Sequence, residues 1–228
     1  FKEEFADFEY HLDHKVTEAS NGVTVAFNST TKKTTFTLPY KLRADMNIVG
    51  RYHSSTETST FVDLNGTTQT LKAGTIVKST NLTNGTTSVI EVNGDYTNAK
   101  VIIGEPFDMH YRFSKQRITE SPTQSSAEII SSRLQLHHFY IKFEETGFFK
   151  VEVTPEYRDT SVHKFSGRLL GAASSAIGQI NLATGTFRVP IMSRADRVDI
   201  DVKNNTFLPT LLASAEFEAM FNMRSRRM

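Results

Sequence analysis

Glu216 and Glu218 stand two residues apart, close enough on one strand face for two carboxyl groups to act together. Glycoside cleavage uses such pairs, facing each other about 5–9 Å apart across a sugar cleft. Glu144 with Glu145 and Glu152 with Glu156 supply the same residue types. The chain has no tryptophan to stack on a sugar ring, so tyrosine or phenylalanine must take that part. A polysaccharide-acting site therefore predicts a groove lined by Tyr and Phe beside Glu216 and Glu218. Nucleophilic hydrolysis has less support, because no Gly-x-Ser-x-Gly elbow is present to expose a serine. Adjacent His137 and His138 make an awkward chelate, and His11 and His14 reach i, i+3 geometry only on a helix. Asp199, Asp201, Asn204 and Asn205 have calcium-like oxygen chemistry but lack the glycine-turned loop of a known site. Period-two alternation explains the two aspartates as a solvated strand face. The expectation is no catalytic residue, no metal site and no cofactor. Basic side chains at Arg194, Arg197, Arg224, Arg226 and Arg227 suit salt bridges between subunits or contacts to phosphate, since guanidinium fits both, or plain solvation.

The elements that carry these residues read as strands. Phe107, Met109, Tyr111 and Phe113 alternate with polar neighbours, as do Phe187, Val189 and Ile191, and again Val198, Ile200 and Val202. Each run is a half-buried antiparallel strand. Leu134 and Leu136 set one parity and Phe139, Ile141 and Phe143 the other. A one-residue bulge at His137-His138 keeps all five on one face. The partner predicted for that strand is Phe149, Val151 and Val153, joined to it as a hairpin through Glu144, Glu145, Thr146 and Gly147. Residues 211–223 favour helix by propensity, but Ala213, Ala215, Phe217, Ala219, Phe221 and Met223 hold period two, which predicts a strand. Asn-Gly pairs at 21–22, 65–66, 84–85 and 93–94 are type I′ hairpin signals. Thr146-Gly147 and Thr184-Gly185 mark further reversals. Phe1, Phe5, Phe8 and Leu12 fall at helical spacing, which predicts a short helix over 2–10. Residues 118–131 read as an exposed loop.

The fold class is mainly β: antiparallel sheets packed as a sandwich or barrel, with at most one short helix near the N-terminus. A soft boundary at Gly104-Glu105-Pro106 separates an N-terminal β region, 1–103, from a C-terminal antiparallel β domain, 104–228. Within the first, residues 54–100 are rich in Thr, Ser, Asn and Gly, and predict short strands with both faces polar. The Asn-x-Ser/Thr triplets at Asn28, Asn65, Asn81, Asn84 and Asn204 are read as turn chemistry.

Composition narrows the function classes. The 228 residues carry 26 basic and 25 acidic side chains, a net charge of +1, which excludes a strongly electropositive nucleic-acid binder. Cysteine is absent, so disulfides and thiolate chemistry are excluded. No apolar run is long enough to span a bilayer as a helix. The chain starts at Phe1 with no leader, as a piece cut from a longer polypeptide does.

The order of several segments then becomes informative. Gly104-Glu105-Pro106-Phe107 leads to Tyr111-Arg112-Phe113-Ser114, followed by Arg133-Leu134-Gln135-Leu136 and Glu145-Thr146-Gly147-Phe148-Phe149-Lys150-Val151-Glu152-Val153. Thr184-Gly185-Thr186-Phe187-Arg188-Val189-Pro190 and Ser214-Ala215-Glu216-Phe217-Glu218 follow, and Leu12-Asp13-His14-Lys15-Val16 and Thr35-Phe36-Thr37-Leu38-Pro39-Tyr40 precede them. This series resembles the C-terminal part of the tail nozzle (tail tubular protein B) family of short-tailed podovirus-type bacteriophages. It covers nearly the whole chain, weakly over 54–100, and departs at Phe217, where the family often carries tryptophan. The resemblance implies a structural virion protein with no catalytic residues. Six copies would form the distal tail tube as a conduit for DNA ejection, below an adaptor ring (tail tubular protein A) and close to the tail fibres. It implies transient contact with double-stranded DNA and assembly in the bacterial host cytoplasm. The alternative is a glycan-binding or glycan-cleaving β module acting on the host envelope.

Physics is compatible with a conduit. A globule of this length has a radius of gyration of roughly 17 Å, too small to enclose a duplex alone, whereas a closed ring of copies is not. A strongly basic lumen would grip DNA through counterion release, and near-neutral charge avoids this.

Overall fold

Period-two alternation with turn punctuation builds strands almost throughout. The computed structural model describes residues 10–42, 46–51, 58–120, 127–128, 132–167 and 181–223. The helix expected over 2–10 lies outside these, apart from Tyr10. The chain divides into two compact units. Unit 1 comprises Phe1–Phe107, Leu169–Asn181 and Thr206–Pro209; unit 2 comprises Asp108–Arg168, Leu182–Asn205 and Thr210–Met228.

Unit 1 contains β1 (Leu12–Thr17), β2 (Thr24–Asn28), β3 (Lys33–Thr37), β4 (Asn47–Gly50), β5 (Thr60–Val62), β6 (Thr68–Thr70), β7 (Ile76–Val77), β8 (Ser79–Asn84), β9 (Ser88–Asn93) and β10 (Val101–Pro106). One four-stranded sheet runs β1-β10-β4-β7, a second runs β2-β3-β9-β8, and β5-β6 is a separate hairpin. Phe36, Ile90 and Val92 of the second sheet bury against Ile48, Val101 and Ile103 of the first. The first sheet is covered on its other face too, where Val49 and Ile102 meet Tyr10, Leu12 and Phe207. Burial on both faces explains the unbroken apolar run Val101-Ile102-Ile103. The segment expected as a polar layer instead supplies core: Leu71, Val77, Ile90 and Val92 are buried, and β9 sends Ser88, Ile90 and Val92 inward. Among the described residues its Thr and Asn side chains are exposed or half-buried, and all three residues of β6 are exposed.

Two of the Asn-Gly pairs close hairpins, β5-β6 around Asn65-Gly66 and β8-β9 after Asn84. The other two do not. Asn21-Gly22 links β1, which pairs with β10, to β2, which pairs with β3. Asn93-Gly94 lets the chain leave β9 for the other sheet, with Gly94 at φ +103°. Positive φ is needed at any sharp change of direction, so an Asn-Gly pair marks a bend without choosing the next partner.

Unit 2 contains β11 (Met109–Arg112), β12 (Thr119–Glu120), β13 (Ala127–Glu128), β14 (Ser132–Thr146), β15 (Phe148–Pro155), β16 (Ser161–Ser166), β17 (Ala183–Arg194), β18 (Val198–Asn204) and β19 (Leu211–Met223). Two open sheets form a sandwich, β11-β18-β15-β16 against β17-β14-β19. The region read as a loop over 118–131 carries the short antiparallel ladder β12-β13; residues 121–126 and 129–131 lie outside the described residues. Thr184-Gly185, expected to reverse the chain, lies inside β17, with Gly185 paired to Phe143. Residues 211–223 form a strand, so pattern outweighed propensity.

The hairpin expected between 134–143 and 149–153 is not formed. β14 pairs with β17 and β19, while β15 pairs with β16 and β18. Glu145 at φ +41° and then Gly147 turn the chain out of one sheet and into the facing one. The physical reason is burial. Side by side in one sheet, the apolar faces of β14 and β15 would need a third layer to cover them. Face to face they cover each other: Phe143 meets Phe149 at 5.6 Å between ring centroids, and Phe149 meets Phe187 at 5.5 Å.

Candidate assembly surface

The strand that organises the outer face of the second sheet is β14. Its register against both neighbours shifts between Leu136 and His138: against β19 His137 is the extra residue, whereas against β17 the extra residue lies on β17, where Ile191 and Met192 stand opposite His137 alone. The shift puts Leu136 and Phe139 on the same inner face, 0% and 2% exposed. It also fixes His138, Tyr140 and Lys142 as an outward row. Pairing then sets Arg188 beside Tyr140 on one side and Glu216 on the other, with Glu218 opposite His138.

These side chains form a network. Arg188 Nη2 lies 2.8 Å from His138 Nε2, and His138 Nδ1 lies 3.0 Å from Glu218 Oε2. A carboxylate can only accept, so His138 Nδ1–H donates to Glu218, while Arg188 Nη2 stands close to both ring nitrogens. Tyr140 donates to the same Glu218 oxygen at 3.0 Å, and Lys142 donates to Glu216 Oε1 at 2.5 Å. The His138 and then the Tyr140 hydrogen bond hold the Glu218 carboxyl below its ordinary range. Both glutamates stand on a flat, exposed pleat, their side chains 61% (Glu216) and 53% (Glu218) exposed. A groove of about 350 Å³ opens next to β19, lined by Tyr111, Phe113, Ile141, Leu212, Ala213, Ser214 and Ala215. Neither glutamate lines it. The residue types that suggested glycan chemistry are thus held in cross-strand pairs away from the groove.

The outer face of the other sheet holds a carboxylate that alternation had placed in solvent. Asp201 is 3% exposed. It accepts from Arg112 through Nε at 2.7 Å and Nη2 at 3.0 Å, and lies 2.7 Å from His110 Nε2. Residues 109–112 pair with 201–204, so the two donors stand on the strand beside their acceptor. Sequence reasoning missed this cluster. The motif His110-x-Arg112 was visible, but its neighbour 90 positions on was not. The Arg112 hydrogen bonds, above all, hold the Asp201 carboxyl below its usual range. A lowered value in the folded state contributes stability above the unfolded value of about 4, and that contribution is lost as pH falls through the lower, folded one. Asp201→Asn is therefore less stable than the parent at pH 7 by about 1–3 kcal/mol, and the gap closes in acid below about pH 4. Urea titrations at pH 7 and pH 3 check this; equal gaps at both would refute it.

The arginines singled out by sequence sit differently. Arg194 donates to Asp196 at 3.0 and 2.7 Å across a 3-10 turn, Ala195–Arg197. Arg197 lies 3.4 Å from Glu156. Both pairs are surface ion pairs of small energetic weight, and both guanidinium groups stay partly open to a partner. Arg224, Arg226 and Arg227 lie outside the described residues.

Edges matter as much as faces for assembly. β17 carries Pro190 and a left-handed Met192 at φ +46°, both of which discourage a further strand. The 13 residues of β19 include no proline, glycine, lysine or arginine, and Leu211, Phe217 and Met220 are 53%, 44% and 51% exposed. Among the described residues β19 is paired on one side only, and its other edge carries none of the residues that usually guard an edge.

Comparison with known proteins gives two findings. The family model described as bacteriophage nozzle protein matches residues 1–228. The tail tubular protein gp12 of Escherichia phage T7 is 24% identical over 137 residues, covering 60% of this chain and 17% of that relative.

Proposed function

We propose, from the premise that this chain belongs to the bacteriophage nozzle protein family, that it is a building block of a hexameric tail tube through which DNA leaves the virion. The family match over 228 residues is the observation that carries this reading. The relative spans far more sequence than this chain, which covers 17% of its length, so the ring is a property proposed for the complete polypeptide. The architecture supports it in physical terms. Packed sheets with extended outer faces and, among the described residues, an open 13-residue edge at β19 suit side-by-side joining. A heterologous contact repeated around a closed cycle makes a ring without a second kind of subunit. The adaptor ring protein and the tail fibres are the proposed neighbours, the contact with double-stranded DNA is transient, and assembly takes place in the host cytoplasm before the part joins the virion tail. No helix among the described residues is long and apolar enough to cross a membrane.

Cryo-electron microscopy of the full-length protein tests the proposal. The expected image is six copies around an axial hole wide enough for a duplex of about 20 Å. A complete polypeptide that stays monomeric at high concentration, in solution and on the grid, refutes the conduit. Release of reducing sugar from envelope polysaccharide, abolished by Glu216→Gln, would establish the glycan reading instead.

A further inference from the structure

Three lysines and a histidine fall in one line across the outer face of the β11-β18-β15-β16 sheet. His110 is directly opposite Lys203, Lys203 is opposite Lys150, and Lys150 is opposite Lys164. At about 4.8 Å between strands the row is roughly 14 Å long. All four point outward, since Val202, Val151 and Phe165, of the other parity, pack into the core. Like charges placed directly opposite destabilise a sheet, so three lysines in register are not a choice that stability explains. One carboxylate offsets part of the cost: Glu152 lies 2.6 Å from Lys203 Nζ and 2.9 Å from Lys150 Nζ. Lys164 stands exposed at the end of the row. In the next row Arg112 is matched by Asp201, and beyond it Lys115 by Asp199 at 2.6 Å. The uncompensated charge is therefore concentrated in the lysine row, where three ammonium groups face one glutamate.

We propose that this lysine row is the surface of the chain that touches the phosphodiester backbone of double-stranded DNA. The inference rests on the conduit reading and names the residues through which it acts. Its chemistry fits a moving polyanion. Lysine is a compact, hydrated point charge on a flexible stem, and attracts phosphate without the two-point lock of arginine. The contacts are blind to base sequence, as a pipe requires. Three lysines less one glutamate leave about two net charges, enough to guide a duplex and too few to hold it.

The test titrates the full 228-residue chain into a fluorescent 20-base-pair duplex from low to moderate salt. Two phosphate contacts give a slope of log K against log salt of about −1.8, which is roughly a tenfold loss of affinity between 50 and 200 mM. Lys164→Gln, an exposed change that leaves the core alone, halves that slope to about −0.9. Glu152→Gln has the opposite sign: it frees two lysines, tightens binding and steepens the slope. Poly-glutamate and inorganic phosphate serve as competing probes. Failure to bind the duplex at low salt overturns the proposal, as does a slope that Lys164→Gln leaves unchanged. Preferential, Lys164-dependent binding of poly-glutamate also overturns it and assigns the row to an acidic protein surface. A hexameric ring without duplex binding at this row sinks the inference alone; a monomeric full-length protein sinks the conduit reading itself.

Discussion

Phe149→Ala lowers the stability of unit 2 by about 3–5 kcal/mol, the largest effect expected of any single truncation in that sandwich. Phe149 is 0% exposed. Its ring lies 5.6 Å from Phe143, 5.0 Å from Phe165 and 5.5 Å from Phe187, so it touches rings from β14, β16 and β17 at once. Removing it deletes buried apolar surface and leaves a cavity whose walls belong to two sheets that are each held flat by their own hydrogen bonds. Collapse into the hole is therefore limited. Phe149→Leu keeps most of the volume and costs under about 1.5 kcal/mol. Denaturant unfolding of both variants reads the difference. A loss under about 1 kcal/mol for the alanine variant would mean that β15 does not face β14, because in a one-sheet hairpin the same ring would be only partly covered.

Gly50→Ala destabilises unit 1 by about 3 kcal/mol, through space and not through backbone conformation. A Cβ on Gly50 would stand 2.4 Å from the Lys72 carbonyl oxygen and 3.2 Å from Leu71 Cγ. The obstacle is backbone, and it is pinned: Gly50 N–H donates to Thr75 O at 2.8 Å, and Gly74 N–H donates to Gly50 O at 2.8 Å. Tyr10 donates its hydroxyl to the same carbonyl at 2.9 Å. Relief of the clash must break part of this set. Gly66 is the control, because its φ is +83° and nothing lies within 4 Å of an added Cβ. Gly66→Ala therefore costs only the left-handed strain of a turn residue, about 1 kcal/mol. Thermal melts of the two variants should separate clearly. A Gly50→Ala variant as stable as Gly66→Ala would remove the case for close approach of 71–75 to β4.

How much of this was legible depends on the range of the interaction. Strand identity was legible along much of the chain. Val198, Ile200 and Val202 announce a strand with one apolar face, and they are buried as that pattern demands. The frame change between Leu136 and Phe139 announces a bulge from local parity alone, and the register shift lies between Leu136 and His138. Residues 211–223 were a contest between propensity and pattern that one strand face settled. Partnership was not legible. Phe149, Val151 and Val153 have the same alternation whether they lie beside β14 or across from it, and the nearer partner in sequence was the wrong one.

The candidate surface follows the same division. Glu216, Glu218, Arg194 and Arg197 could be picked out by type. Asp201 could not, because alternation assigns a side chain to a face and says nothing of what arrives from a strand 90 positions away to cover it. The lysine row is the extreme case. Lys150, Lys164 and Lys203 are unremarkable singly, and only antiparallel register sets them in a line.

Read alone, the order of residues determined a mainly β chain, the inward parity of its long strands, the place of its bulge and the family to which it belongs. Each of these rests on interactions within a few residues or on the linear order of segments. Only the tertiary structure decided which strands share a sheet, which carboxylate is buried and which charges meet. Those outcomes turn on which pairing covers the most apolar surface while satisfying every backbone hydrogen bond, a quantity summed over the whole unit that no short stretch of sequence contains.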